Sequence, residues 1–279
     1  MKVLVTGVGG QLGYDVIREL KKRNIDCIGA DREDFDITNF ERTYEFITRY
    51  MPDAVIHCSA YTSVDKAEYE SELCYLVNAV GTENIANICK VIGAKMLYIS
   101  TDYVFDGTKK GFYEVSDVPN PVNVYGKTKF EGEKVVQNIL EKYFIVRISW
   151  AFGINGENFV KTMLRLGKER KELNVVADQI GSPTYTADLA PLLVDMVLTD
   201  KYGIFHATNE GECSWAEFAE EIFKIAKFDI SINHISTKEY CGICNRPLNS
   251  RLSKEKIVSC GFKPLGDWRI SLKNFIDLL

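Results

Sequence analysis

A chain of 279 residues with 46% hydrophobic and 26% charged side chains has the composition of a folded globular protein, which excludes disordered and low-complexity classes. With 34 Lys and Arg against 39 Asp and Glu, its net charge of -5 points to no nucleic-acid or membrane-surface partner. No apolar run approaches the roughly 18 residues of a membrane helix, no export signal precedes the first strand, and the 8 cysteines are scattered, mostly through apolar segments. The expectation is a reduced, cytoplasmic protein.

Through the first half, short β-rich runs alternate with helical patterns. Strands are predicted at 2–6, 25–30, 53–59, 94–100 and 144–150, apolar on both parities like parallel strands covered on both faces. Helices are predicted at 11–23, 39–50, 66–91 and 123–141, the second opened by a capping box of Thr38 and Glu41. This rhythm predicts an α/β fold, a Rossmann-type doubly wound parallel sheet. After Trp150 it loosens. Helices are expected at 158–170, 187–198 and 268–279, and another runs from a Ser214–Glu217 capping box to 226. Strands are expected at 173–177, 203–207 and 230–235, and a loop over 240–252. The expected division is an NAD(P)-binding domain over 1–150 and a smaller α/β substrate lobe over 151–279, the chain being free to cross between them.

Gly7, Gly10 and Gly13 stand in G-x-x-G-x-x-G spacing between the first strand and the first helix. Glycines allow a tight turn and a close approach to pyrophosphate, and the helix N-terminus offers free N–H groups. Asp31 ends the second strand, 24 positions after Gly7, where an acidic residue accepts hydrogen bonds from the adenosine ribose of NAD(H). Arg32 follows it and suits a 2′-phosphate, so NADH and NADPH both stay open. Asp36 and Ile37 fall in the next loop, beside the expected adenine.

Tyr125 and Lys129 are four apart on a predicted helix and share a face. A nearby ammonium lowers a phenol's pKa, and a tuned tyrosine can protonate a carbonyl oxygen as hydride reaches the carbon. Thr101 ends the fourth strand, on the side where such sheets bind ligands. Alone, Tyr-x-x-x-Lys recurs by chance as an aromatic ring on a lysine stem. Its order after the glycine turn and Thr101 favours chemistry.

With these residues the chain resembles the extended short-chain dehydrogenase/reductases, and among them the dTDP-4-dehydrorhamnose reductase family. The likeness runs through Gly10-Gln11-Leu12-Gly13, Asp36-Ile37-Thr38, the segments 60–68 and 100–107, Tyr125 to Lys129, Arg147 to Trp150, Asn158-Phe159-Val160, Asp178-Gln179, Gly181 to Thr184, and Arg246-Pro247 with Asn249-Ser250. It implies Thr101, Tyr125 and Lys129 as catalytic residues. It implies Gly10, Gln11, Leu12, Asp31, Asp36, Ile37, Ser59, Ala60 and Tyr61 as cofactor contacts. Thr62, Val64, Tyr103 and Trp150 would surround the sugar, and Arg246 would close over its diphosphate. The activity implied is reduction by NADH or NADPH of the C4 ketone of a dTDP-linked 4-keto-6-deoxyhexose, with Tyr125 as general acid.

The dehydratases of this group place Asp-Glu after the threonine; this chain has Asp102-Tyr103, which argues against elimination. An epimerase, a reductase of another nucleotide sugar and a non-catalytic NAD(P)-binding regulatory subunit are the alternatives. The resemblance also puts Asp15 and Asp188 where some relatives bind a divalent ion between subunits. A homodimer is the partner assembly to test. Cys241-x-x-Cys244 lacks a second ligand pair, so no metal is expected from it. His57, His206 and His234 sit in strand-like, apolar contexts and read as packed.

Overall fold

A computed structural model describes residues 1–279. The first half contains β1 (Lys2–Thr6), α1 (Gln11–Lys22), β2 (Asp26–Ala30), α2 (Phe40–Tyr50), β3 (Ala54–His57), α3 (Val64–Ala67) and α4 (Ser71–Tyr75). A π-helical turn (Leu76–Val80) then leads into α5 (Gly81–Ile92), β4 (Lys95–Thr101), α6 (Val124–Ile139) and β5 (Tyr143–Ile148). The second half contains β6 (Ala151–Phe152), α7 (Phe159–Glu169), β7 (Glu172–Val176), β8 (Ile180–Gly181), β9 (Thr184–Tyr185), α8 (Thr186–Val197) and β10 (Gly203–His206). It ends with β11 (Cys213–Ser214), α9 (Trp215–Ala226), β12 (Ser231–Ile235), α10 (Thr237–Tyr240), β13 (Asn249–Ser250), α11 (Glu255–Ser259) and α12 (Trp268–Ile276).

Six strands form one sheet in the order β2-β1-β3-β4-β5-β10, every pair parallel. Alternate residues feed opposite faces, as the pleat dictates. Val3, Val5, Ile56, Leu97, Phe144 and Val146 pack with α1 and α8. Leu4, Val55, Met96, Tyr98 and Ile145 pack with residues of α2, α5 and α6. With both faces covered, both parities are mostly apolar, and Arg147 in β5 is the buried charge among them. A third core gathers Phe152, Val160, Phe218, Phe223, Trp268 and Phe275 from β6, α7, α9 and α12. Residues 186–206 leave this lobe to place α8 and β10 on the main sheet.

Two local features differ from expectation. The side chain of Asp36 accepts both the N–H (2.9 Å) and the hydroxyl (2.8 Å) of Thr38, which places Thr38 in an Asx turn ahead of the helix. Asn39 caps α2 instead, accepting the Arg42 N–H at 3.0 Å. The helix expected over 66–91 is broken after α3, and α4, the π turn and α5 then run on without a gap. Ser214 and Glu217 do form the capping box that opens α9.

Candidate active site

The glycine turn is built where β1, β3 and α1 converge. Gly7 has φ +73, and a Cβ there would press on the backbone of Ser59 at 2.8 Å. A Cβ on Gly13 would run into the Gly7 carbonyl. Gly10 caps α1 without a side-chain hydrogen bond, leaving the first helical N–H groups to an anion. This cradle fits a dinucleotide pyrophosphate. Asp31 lies at the end of β2, its carboxylate accepting N–H bonds from Gly9 (2.6 Å) and Arg32 (2.7 Å).

One cavity of about 810 Å³ runs from this turn to the ends of β4 and β5. Gly7, Gly10, Gln11, Leu12, Gly13, Asp31, Asp36, Ile37, Ser59, Ala60 and Tyr61 all line it, as do Arg32 and Thr62. At its other end are Thr101, Tyr125, Lys129 and Trp150. Three expected residues do not line it. Val64 is the first residue of α3. Tyr103 is buried edge-on to Tyr125, ring centres 5.7 Å apart. Arg246 donates from Nη2 to Asp65 Oδ2 at 2.7 Å, so it is held by a carboxylate rather than open to the cleft.

α6 lies close on the sheet because it carries glycine at the contacts. A Cβ on Gly126 would strike the Tyr103 carbonyl, and one on Gly132 the Tyr98 hydroxyl. Asn123 caps this helix, accepting the Gly126 N–H at 2.7 Å, and donates to the Asn245 carbonyl at 2.8 Å. Tyr125 and Lys129 are thereby held over the end of β4, where the Thr101 hydroxyl donates to Asp102 Oδ1 at 3.0 Å.

The electrostatics differ from the expected tyrosine–lysine coupling. Burial pushes Lys129 down to about 7, opposed first by Glu133. Its ammonium sits 4.1 Å from the centre of the Tyr98 ring. Tyr125 is pushed well up, by desolvation of its hydroxyl end and then by Asp102. The other groups acting on it are Thr101 and Cys74, not Lys129. In this state Tyr125 is a firmly protonated acid rather than a poised phenolate. Asp102, 3% exposed and with no partner for Oδ2, is itself pushed up to about 6 by burial.

Trp150 adopts φ 49, a left-handed conformation costly for a bulky residue. The turn lays its ring on Trp215, centroids 3.7 Å apart, and against Gly181. The cleft wall thus includes a tryptophan fixed from the second lobe.

Sequence reasoning missed several supports. Asn78, in the π turn, accepts the Tyr61 N–H at 2.8 Å and returns its amide to the Tyr61 carbonyl at 3.2 Å. Such turns recur at functional sites. Asn155 donates to the Gly9 carbonyl at 2.7 Å and Asn158 to Gln11 Oε1 at 3.0 Å, tying the second lobe onto the glycine turn. Asn158 also caps α7, accepting the Lys161 N–H at 3.1 Å.

His57 is buried between the Thr6 (2.8 Å) and Thr82 (3.2 Å) hydroxyls, and His206 is buried as well. His234 departs from its expected apolar setting: it is 49% exposed and pairs with Glu220 at 2.7 Å. Asp15 accepts the Thr186 hydroxyl at 2.6 Å, and Asp188 accepts from Asn209 (2.8 Å) and Ser271. No group of three or more His, Cys, Asp or Glu side chains has the arrangement of a metal site.

Comparison with known proteins gives consistent likenesses. The family model described as "RmlD substrate binding domain" matches residues 1–279. A dTDP-4-dehydrorhamnose reductase of Aggregatibacter actinomycetemcomitans is 42% identical, over 98% of this chain and 97% of that protein. A dTDP-4-keto-6-deoxy-D-glucose reductase of Streptomyces niveus is 34% identical, over 99% and 96%. The crystal structure of a dTDP-4-dehydrorhamnose reductase from Bacillus anthracis in complex with NADP superposes with a TM-score of 0.97 at 43% identity, covering 100% of this chain and 99% of that one.

Proposed function

The chain belongs to the RmlD substrate binding domain family, and from that membership we propose that it reduces the C4 ketone of dTDP-4-dehydro-6-deoxy-L-mannose to dTDP-L-rhamnose with NADH or NADPH. The observation that carries this reading is the single cleft joining the glycine cradle to Thr101, Tyr125 and Lys129. The names of the 42% identical relative and of the NADP-bound structure support it. The free N–H groups at the start of α1 would hold the pyrophosphate, and Asp31 and Arg32 would flank the adenosine ribose. When bound, the nicotinamide supplies hydride to the ketone carbon. Lys129 would hold the nicotinamide ribose hydroxyls. The Thr101 hydroxyl donates a hydrogen bond to the ketone oxygen, turning from Asp102 to do so. Tyr125, kept protonated by its surroundings, gives its proton to that oxygen as charge builds there. Trp150, backed by Trp215, would offer an apolar wall to one face of the sugar.

The test is oxidation of NADH and NADPH at 340 nm, with the keto sugar made in situ and the product identified by NMR. Wild type is expected to yield the rhamnose nucleotide. Tyr125→Phe is expected to lose kcat by at least about a hundredfold, the usual worth of a positioned acid, while its NADPH affinity stays unchanged. Near-normal turnover by Tyr125→Phe would remove the general-acid role. The likeness to a dTDP-4-keto-6-deoxy-D-glucose reductase supports a second reading, the same chemistry on the sugar that has not been epimerised. Turnover of that substrate alone would select it.

A further inference from the structure

Directly behind Lys129 lies a fully buried ion pair that the proposed reaction does not use. Glu133 is 0% and Arg147 1% exposed. Arg147 grips the carboxylate with two prongs, Nε to Oε1 at 2.8 Å and Nη2 to Oε2 at 2.7 Å. The Ser100 hydroxyl donates to the same Oε1 at 2.5 Å. Arg147 Nη1 also lies 3.4 Å from His206 Nε2, and its guanidinium stands 5.0 Å from the centre of the Phe105 ring. Ser100 immediately precedes Thr101, and Glu133 follows Lys129 by one helical turn. The pair therefore bolts β4, α6 and β5 together at the points that carry the reacting side chains. As a stabilising device it is a poor choice, because apolar residues of equal volume often serve as well. Its position suggests a second use.

The groups facing Lys129 can be counted element by element. On α6 they are Tyr125 and Glu133; from β3 and the residue after it, His57 and Cys58; from α4, Cys74; from β4, Tyr98. His57 is pushed down to about 3, and burial holds the thiols and phenols in their neutral forms. At neutral pH the one charge facing the ammonium is Glu133.

We propose that the Glu133–Arg147 pair sets the charge state of Lys129, with Glu133 a positioning residue that favours the ammonium and Arg147 a counterweight that limits that effect. The proposal rests on Lys129 serving the bound cofactor, as above. Glu133 makes its hydrogen bonds to Arg147 and Ser100, and it acts on Lys129 through space.

The test compares Glu133→Gln, Arg147→Met and the double variant in the alkaline limb of kcat/KM and in NADPH affinity, read by fluorescence across pH 6 to 10. An opposite charge nearby shifts a pKa by about 1 to 3 units. Glu133→Gln is expected to move both limbs to lower pH by at least about one unit. Arg147→Met is expected to move both upward. The double variant strands no charge, and its limbs are expected below wild type and above Glu133→Gln. A merely structural pair would lower the melting temperature in both single variants without separating their limbs in opposite directions. Limbs that stay put, or that move the same way in both single variants, overturn the proposal. If Glu133→Gln does not fold, an unshifted double variant overturns it instead. If wild type reduces no keto sugar, the proposed reaction fails, while the NADPH-binding limb still decides the role of the pair.

Discussion

Replacing Asp102 by asparagine is expected to make the protein more stable at pH 8 and no more stable at pH 4. The Asp102 carboxyl is 3% exposed, receives one hydroxyl bond from Thr101 and leaves Oδ2 without a partner. Burial raises it from 3.8 to about 6. A folded-state value above the unfolded one means that the native protein binds the proton more tightly. Stability therefore rises as pH falls through 6 towards 4, and the ionised form is a burden above that window. About two pKa units correspond to about 3 kcal/mol. Asparagine keeps the volume and sheds the charge, and its amide can turn towards the Ser250 side chain that acts on the carboxylate. An imperfect bond there would return about 1 kcal/mol, leaving a gain of about 2 kcal/mol at pH 8. Urea unfolding of both proteins at pH 8, 7, 6, 5 and 4 measures this. The gap should close between pH 6 and 4. A gap independent of pH, or a variant less stable at pH 8, would refute the reasoning.

Three other outcomes follow from the geometry. Gly13→Ala puts a methyl into the Gly7 carbonyl, so NADPH affinity by calorimetry should fall at least about tenfold, or about 1.4 kcal/mol; unchanged affinity would mean that the cradle has slack. His57 and His206 are both pushed down to about 3 by burial, so the unfolded chain takes up protons that the native one refuses. Stability should drop by about 1 to 2 kcal/mol per pH unit between 6 and 5, after the opposing slope of Asp102; a flat profile there is the contrary result. Trp150→Ala should raise KM for the sugar nucleotide several-fold without changing NADPH affinity, because Trp150 lines the far end of the cleft. Equal losses in both would make Trp150 a general structural residue.

The sheet was legible because covered parallel strands leave a signature on both parities, and the glycine turn because backbone crowding admits few residue types. The Tyr125–Lys129 face follows from helical spacing alone. What stayed hidden depended on partners distant in the chain. The π turn at Leu76–Val80 keeps a helical sequence pattern, and only the contact of Asn78 with Tyr61, 17 residues back, reveals its use. Thr38 lost the cap to its neighbour Asn39, a competition between two adjacent acceptors that pattern reading does not rank. The coupling of Lys129 to Tyr125 was misjudged because burial acts on each group separately and exceeds their mutual effect. One signal was present and unused: Arg147 stands inside the apolar run of β5, and a guanidinium there requires a buried acid. That acid, Glu133, lies 14 residues earlier.

The return of residues 186–206 to the main sheet limits how such a protein can be rebuilt. Leu189, Leu192, Leu193, Met196 and Val197 of α8 are all buried in the first core. At about 2 kcal/mol each they represent about 10 kcal/mol, comparable to the whole net stability of a domain. A gene cut after Trp150 would therefore yield a sheet covered on one side by α1 alone and missing its β10 edge. New substrate lobes cannot be appended as cassettes; they have to arise by insertion into the stretches on either side of α8. The same interlacing means that tool fragments for cofactor-only assays should be made by internal deletion, with α8 and β10 retained.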